Sequence, residues 1–368
     1  MKIPLVDLKA NYDSIKGEID SIIKQTIDNS TFIMGAPVKE FDKNWAEYCN
    51  SQFSFGVANG TEAIRLSLLA LGIKQGDEVI TSPNTFIATT EAISAVGATP
   101  VFVDIDEATY TINPDQIEEK ITERTKAIIP VHLYGHPCDM EKIVEIARRR
   151  NIKILEDCAQ SHGATFKGKK TGTIGNISGF SMFPAKILGA FGDAGAIITD
   201  NERLAEKISL LRNHGRFSKY EHLQEGFNSR IDALQANILN VKLKHLDNWI
   251  EKRRQLANKY KEELLEVVTC PREKDWASHS YYMYVIRTEK RDELREFLEK
   301  NEISCQIHYP IPLHLQPAYK HLNYKEGDFP ITEKVANEIL SIPLYPELTK
   351  EQQNYIISKV KEFFSQDI

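Results

Sequence analysis

The chain has 368 residues, of which 42% are hydrophobic and 27% charged, a balance near the globular average that excludes a disordered or low-complexity protein. Its length exceeds what one hydrophobic core usually serves, so a large domain plus a smaller one is expected and a peptide hormone or small binding module is excluded. With a net charge of −6 and no basic block beyond Arg148-Arg149-Arg150, the sequence lends no support to a nucleic-acid or anionic-membrane surface and favours small-molecule chemistry.

In the opening MKIPLVDLKANYDSIKGEID, charges interrupt every apolar stretch. No apolar run in the chain approaches the roughly 18 residues that membrane spanning requires, so a soluble, cytoplasmic protein is expected. Five cysteines (Cys49, Cys138, Cys158, Cys270, Cys305) are scattered without a CxxC pair. This argues for reduced thiols and against a structural zinc site.

From about residue 55 to 200, β-rich runs (DEVITSP, TPVFVDID, KAIIPVHLYG, IKILEDCA, ISGFSMF, GAIITD) alternate with helix-period segments at 61–72, 86–97 and 139–150. The alternation predicts an α/β fold, a mostly parallel central sheet with helices on both faces. Each helical segment ends at or just before a Gly or Asn stop signal. NERLAEKISLLRNHG follows, then a long helical pattern from about Ile231 to Leu265 whose charged KRRQLANKYKEE half suggests a solvent-facing connector. A domain boundary is expected inside it, giving a large α/β domain over 1–250 and a small α+β domain over 251–368. The tail predicts strands in SYYMYVIRT and at 303–309, the helix RDELREFLEKN between them, a Pro-rich loop and a last amphipathic helix, KEQQNYIISKVKEFF.

In open α/β sheets ligands sit at the carboxyl ends of the strands, so polar residues there are the candidates. Asn59-Gly60-Thr61 opens a helix, where free N–H groups and the helix dipole favour a phosphate; the same tripeptide is also a common turn and N-cap. Asp157 and Gln160 follow an apolar strand, where a carboxylate needs a cationic or donor partner, or else caps the next loop. Lys186 lies among Phe180, Met182, Phe183, Ile187 and Leu188, which disfavours its charged form as a nucleophilic amine requires; lysines also snorkel out of such segments as plain surface residues. Gly163 to Lys170 spells G-x-x-x-x-G-K but lacks the Ser/Thr and the following helix of a P-loop, and His132, His136 and Cys138 lie in a Gly/Pro loop that does not fix a metal geometry. No metal is expected. A phosphate cradle, an aromatic at the next strand end (Phe86), Asp157 and then Lys186 fit pyridoxal 5'-phosphate (PLP): Phe86 covers a ring face, Asp157 keeps the ring nitrogen protonated and Lys186 is the covalent anchor.

In order along the chain, IPLVDLKANY, FIMGAPVKEFDKNWAEY, VANGTEA, GDEVITSPNTFIATTEAI, PVFVDIDEATYTINP, TKAIIPVHLYG, ILEDCAQSHGA, FPAKILGAFGDAGAIIT, GFNSRIDALQA and HYPIPLHLQPAY resemble the DegT/StrS-type sugar aminotransferases, within the fold type I (aspartate aminotransferase-like) PLP enzymes. The resemblance implies that Lys186 is the Schiff-base lysine, Asp157 the pyridinium partner and Gln160 a contact to the PLP phenolic oxygen. It implies phosphate contacts from Gly60, Thr61, Glu62 through its backbone, and Ser181. It further implies a homodimer with shared sites, in which Asn228 completes the phosphate site of the other subunit and Arg230 meets the substrate or donor carboxylate there; His308 and Tyr309 are also assigned to substrate. Many members have Gly-Glu-Gly-Gly where this chain has Gly192-Asp193-Ala194-Gly195. The shorter acid, with FPAKILGA and HYPIPLHLQPAY, looks more like the subgroup that aminates 3-oxo sugars than those working at C4.

The expected function is therefore transfer of an amino group from an amino acid, L-glutamate, to a nucleotide-linked 3-oxo sugar by a ping-pong mechanism, with a 4-oxo sugar as the alternative. A dehydratase of the same fold is disfavoured because such members carry His at the lysine position. A non-catalytic regulatory protein of this fold and an NTPase are the remaining competitors.

Overall fold

Buried on both faces, the run Glu78–Thr81 leaves no residue to solvent, as expected of strands covered by helices on each side. The computed structural model describes residues 2–365. In chain order the strands of the first 200 residues are β1 (Phe53–Val57), β2 (Glu78–Thr81), β3 (Thr99–Phe102), β4 (Thr125–Ile128), β5 (Lys153–Asp157), the short β6 (Thr165–Phe166) and β7 (Lys169–Lys170), β8 (Ile177–Ser181) and β9 (Gly195–Thr199). Seven of them make the central sheet in the order β1-β9-β8-β5-β4-β2-β3. Neighbours pair in parallel except at β9, which runs antiparallel to both β8 and β1. The α/β expectation holds, with β1 as a strand the sequence pattern does not single out.

The helices on this sheet begin and end on local signals. The Asn59 side chain accepts the N–H of Glu62 at 2.9 Å to open Gly60–Leu71, and Gly72 closes it at φ +85°. Asp139 caps Met140–Arg150, whose Met140, Ile143, Ile146 and Ala147 form the buried stripe. The pattern from 231 to 265 is two helices, Ala233–Leu243 and Leu246–Leu264. The charged half of the second is no simple solvent-facing connector: Arg253, Ala257, Tyr260 and Leu264 are buried along one stripe, and Arg253 donates to the carbonyls of Tyr281, Tyr282 and Leu344 at 3.2, 3.3 and 2.9 Å.

That stripe belongs to a second core, which gathers Ile3 with Tyr284, Leu294, Ile303, Leu340, Ile356 and their neighbours. Its sheet pairs β11 (Tyr284–Arg287) with β12 (Ile339–Ile342), after β10 (Ala277–Ser278) has joined β6. The strand expected over 303–309 is reduced to isolated bridges, Ile303 to Ile3 and Gln306 to Ser341. Helix Pro330–Glu338 takes its N-terminal cap from far away in sequence: Asp104, just past β3, accepts from Ile331 N, Thr332 N and Thr332 Oγ1 at 2.7 to 2.9 Å. No described helix is long and apolar enough to cross a membrane.

Candidate active site

The ends of β5 and β8 lie side by side, the start of helix Gly60–Leu71 closes on β8, and the segment after β2 joins them through Thr89. Asp157, the last residue of β5, is buried. Its Oδ2 accepts from Thr89 Oγ1 at 2.8 Å and its Oδ1 from Ala159 N at 3.1 Å. Burial pushes its carboxyl above the ordinary range, against those hydrogen bonds and the positive charge of nearby Lys186. A buried carboxylate with two neutral donors still lacks a close cation. Thr89 is itself within 3.0 Å of Thr85, so a chain of hydroxyls backs the acid.

Lys186 stands in the loop after β8, its Nζ 4.4 Å from the centre of the Tyr282 ring. Its charge also acts on His162 and His308, which burial first of all drives down to about 3 and about 4. Gln160 is oriented by two partners: Tyr134 N donates to its Oε1 at 2.7 Å, which leaves Nε2 as the donor, and Nε2 reaches the Tyr309 hydroxyl at 3.2 Å. The Tyr134 hydroxyl donates to the His308 carbonyl, and His308 Nδ1 pairs with Ser341 Oγ at 2.9 Å. Phe86 is 54% exposed and tilts toward Tyr309 with ring centres 5.8 Å apart.

Beside this group, Gly60 is pressed against Ser181: a Cβ on Gly60 would stand 2.5 Å from the Ser181 Cβ. The helix start thus meets the end of β8, which sets the first N–H groups of the helix and the Thr61 and Ser181 hydroxyls side by side; the Glu62 N–H, expected to be a phosphate donor, is already taken by Asn59 Oδ1 at 2.9 Å. Asn228 and Arg230 are not brought into the group. Asn228 is exposed and bridges to Asn213, whose Oδ1 accepts from Arg230 Nη1 at 3.0 Å. Among the described residues neither bonds to Lys186 or Asp157.

Glu156, one residue before Asp157, has a different task. It is fully buried, paired with His132 Nε2 at 2.9 Å, and takes backbone N–H groups from Gly172, Ile174 and Gly175 at 2.6 to 2.8 Å. Its carboxyl is held below the ordinary range because these partners outweigh burial, the largest opposing effect. His132 Nδ1 accepts Cys138 N at 3.0 Å, so Nε2 carries the proton it gives to Glu156. His132, Glu156 and Cys158 lie close enough to suggest a metal, but the lone pairs of His132 Nδ1 and of the Glu156 carboxylate are already spent on N–H donors. The G-x-x-x-x-G-K stretch folds as the β6–β7 hairpin, with no helix to hold a nucleotide phosphate.

A family model described as the DegT/DnrJ/EryC1/StrS aminotransferase family matches residues 13–361. The chain belongs to that family. A "pleiotropic regulatory protein" of Geobacillus stearothermophilus is 46% identical over 99% of both chains. The dTDP-3-amino-3,6-dideoxy-alpha-D-galactopyranose transaminase of Aneurinibacillus thermoaerophilus is 43% identical, covering 98% of this chain and 99% of its own. Among solved structures, DesV of Streptomyces venezuelae in complex with a ketimine intermediate superposes with a TM-score of 0.96 at 40% identity, covering 98% of each chain. The DegT/DnrJ/EryC1/StrS cofactor is PLP or its amine form PMP, as further solved members carry.

The residues of this chain fit that cofactor. Gly60 has no side chain where the helix start closes on Ser181, Asp157 is a buried acid held only by the neutral donors Thr89 and Ala159, and Gln160 Nε2 is turned as a donor. Thr89 and Tyr134, which orient Asp157 and Gln160, escape sequence reasoning. For Thr89 no helical spacing serves as a signal, because Thr85 lies in the loop ahead of helix Ala88–Ala95 and meets Thr89 only through the folded turn. Tyr134 holds a left-handed backbone at φ +58°, which nothing in its own residue type announces.

Proposed function

We propose that this chain moves an amino group from L-glutamate to a nucleotide-linked 3-oxo sugar, acting as a cytoplasmic homodimer with shared sites. The observation that carries the reading is the pairing of an intact Lys186 with buried Asp157 near the point where the helix start at Gly60 closes on Ser181, in a family whose members include transaminases named for dTDP- and UDP-linked amino sugars. Asp193 in the Gly192–Gly195 segment favours the 3-oxo over the 4-oxo substrate.

PLP, when bound, supplies an electron sink and carries the amino group between the two half reactions. Gly60 and Thr61 at the helix start, with Ser181, hold its phosphate, Gln160 donates to its phenolic oxygen, and Phe86 covers one face of its ring. Asp157, kept in place by Thr89, stabilises a positive ring nitrogen. Lys186 holds the cofactor at rest and, once displaced by the donor, takes the proton from the donor's α-carbon and returns it on the other side of the transfer. With the sugar as second substrate the same amine moves the proton in the reverse sense, which gives ping-pong kinetics. Arg230 of the partner subunit meets a carboxylate through its two-pronged guanidinium, Asn228 of the partner subunit completes the phosphate site, and His308 and Tyr309 line the sugar's approach.

The intact lysine beside Asp157 argues for catalysis over a purely regulatory role, despite the name of the 46% identical relative. A coupled glutamate assay over dTDP- and UDP-linked 3-oxo and 4-oxo sugars tests the reading. Turnover with a 3-oxo substrate at least about tenfold above its 4-oxo isomer is expected, a pocket discrimination of about 1.4 kcal/mol. The reverse preference overturns the regiochemistry, and no turnover of any sugar with a colourless protein overturns the function.

A further inference from the structure

Helix Ala233–Leu243 carries a lysine buried to 3% exposure, Lys242. Its one side-chain hydrogen bond among the described residues runs from Nζ to the carbonyl of Gly189 at 2.6 Å, and its ammonium lies 4.9 Å from the Phe191 ring centre. Two turns earlier on the same helix, and so on the same face, Gln235 Oε1 accepts the Phe191 N–H at 2.8 Å. Both side chains therefore grip the stretch Gly189–Phe191.

That stretch is the base of the loop that presents Lys186. Ala190 N donates to Met182 O at 2.8 Å and closes the loop, while Lys186 N donates to Phe183 O at 2.8 Å inside it. The winding is tight: a Cβ on Gly189 would stand 2.3 Å from the Pro184 carbonyl oxygen. Lys186 sits midway round this closed loop, and Gly189 and Ala190 are where the loop meets the body of the protein.

A buried ammonium is costly, and a methionine would fill the same space without that cost. Here burial draws the Lys242 pKa down to about 8, with only the distant charge of Glu347 opposing. The stem alone thus gives no reason for the charge; a charged donor on a carbonyl in low dielectric does, because such a bond is short and directional.

We propose that Lys242, with Gln235, is a positioning residue for the transamination: the two clamp the base of the Met182–Ala190 loop and set where the Lys186 amine stands. The inference rests on Lys186 being the reacting amine. Since a displacement of about 1 Å in a reacting group can cost on the order of a hundredfold in rate, the clamp acts on turnover with little effect on donor binding.

The test compares Lys242→Met and Gln235→Ala with the unsubstituted protein in two measurements. Hydrogen–deuterium exchange of the apo-protein, read on peptides spanning 182–192, is expected to speed up at least about tenfold in both variants, the opening of a clamp worth about 1.4 kcal/mol. In the loaded enzyme kcat is expected to fall at least about tenfold while the donor KM stays within about twofold. Unchanged exchange over 182–192, or faster exchange with unchanged kcat, overturns the proposal. If Lys242→Met does not fold, Gln235→Ala decides alone. Lys186→Ala run alongside separates the two assignments: it is expected to abolish turnover with the loop still protected, and turnover that survives it removes the lysine assignment instead of the clamp.

Discussion

Glu156 and Asp157 are neighbours on β5 and both buried, yet their carboxylates serve opposite faces: Glu156 is saturated by His132 and three backbone N–H groups, while Asp157 holds only the Thr89 hydroxyl and Ala159 N. Strand alternation makes this division possible. Asp157→Asn keeps the shape and removes the charge, so PLP is expected to bind while turnover falls at least about a hundredfold, the scale of losing a buried charge partner. Glu156→Gln would set an NH2 against backbone donors, with an expected loss of about 3 kcal/mol of stability. Thermal melts and steady-state rates on the two variants separate the roles; a destabilised Asp157→Asn with normal turnover would reverse them.

Replacing Gly60 tests the phosphate cradle. In Gly60→Ala the new methyl must displace Ser181, an overpacking cost of about 1–3 kcal/mol. Because Ser181 is a proposed phosphate contact, its displacement is expected to lower PLP affinity by about one order of magnitude, measured by titrating cofactor into the apo-protein. Unchanged affinity would show that the phosphate lies elsewhere.

Lys186→Ala is expected to lose turnover by several orders of magnitude. Borohydride reduction of the wild-type holoenzyme followed by peptide mapping should place the pyridoxyl label on Lys186, and a label on any other lysine would remove the assignment. Mixed with Arg230→Ala under refolding or co-expression, Lys186→Ala chains should regain up to about a quarter of wild-type activity. Under two-fold symmetry about half of the dimers are hybrids, each with one complete site. Verified hybrids without activity would mean that Arg230 serves its own chain.

Stability should decline in mild acid. Burial holds His136 at about 4 and His162 at about 3 in the folded chain, against 6.5 for an ordinary histidine. Between those values the unfolded chain binds more protons than the folded one, so the two neutral imidazoles contribute no penalty above about pH 6.5 and a growing one as pH falls toward 4. Each unit of difference is worth about 1.4 kcal/mol. Urea unfolding at pH 7, 5.5 and 4.5 should show the loss, and His162→Asn should make the decline shallower; a flat profile in the wild type contradicts the burial argument.

What could be read from the chain depended on whether a signal was local. Asn59, Asp139, Gly72 and Asn151 mark helix ends by their own side chains or backbone freedom, and those helices lie within a residue or two of expectation. Helix Pro330–Glu338 has its cap on Asp104, more than two hundred residues away, and went unseen for that reason. β1 is five residues with a glycine at the fourth and finds its register only against β9, whereas the 303–309 run has strand composition but meets partners only at single bridges. In the pocket, Lys186, Asp157 and Gln160 carry chemistry in their residue type. Thr89, Tyr134 and Lys242 act through neighbours, and a neighbour is visible only once the chain is folded.

Ile3 forms a bridge to Ile303 and is fully buried in a core built mainly from residues beyond 250. On the ribosome it emerges 300 positions before that partner. At synthesis rates of about 5–20 residues per second, the interval is about 15–60 s. Throughout it, the β1–β9 sheet has time to assemble while the isoleucine waits without its binding place. Expression of this protein should therefore respond to trigger-factor-type chaperones that shelter the leading segment, and a bulky tag fused close ahead of Ile3 should slow the last docking step more than one placed after residue 365.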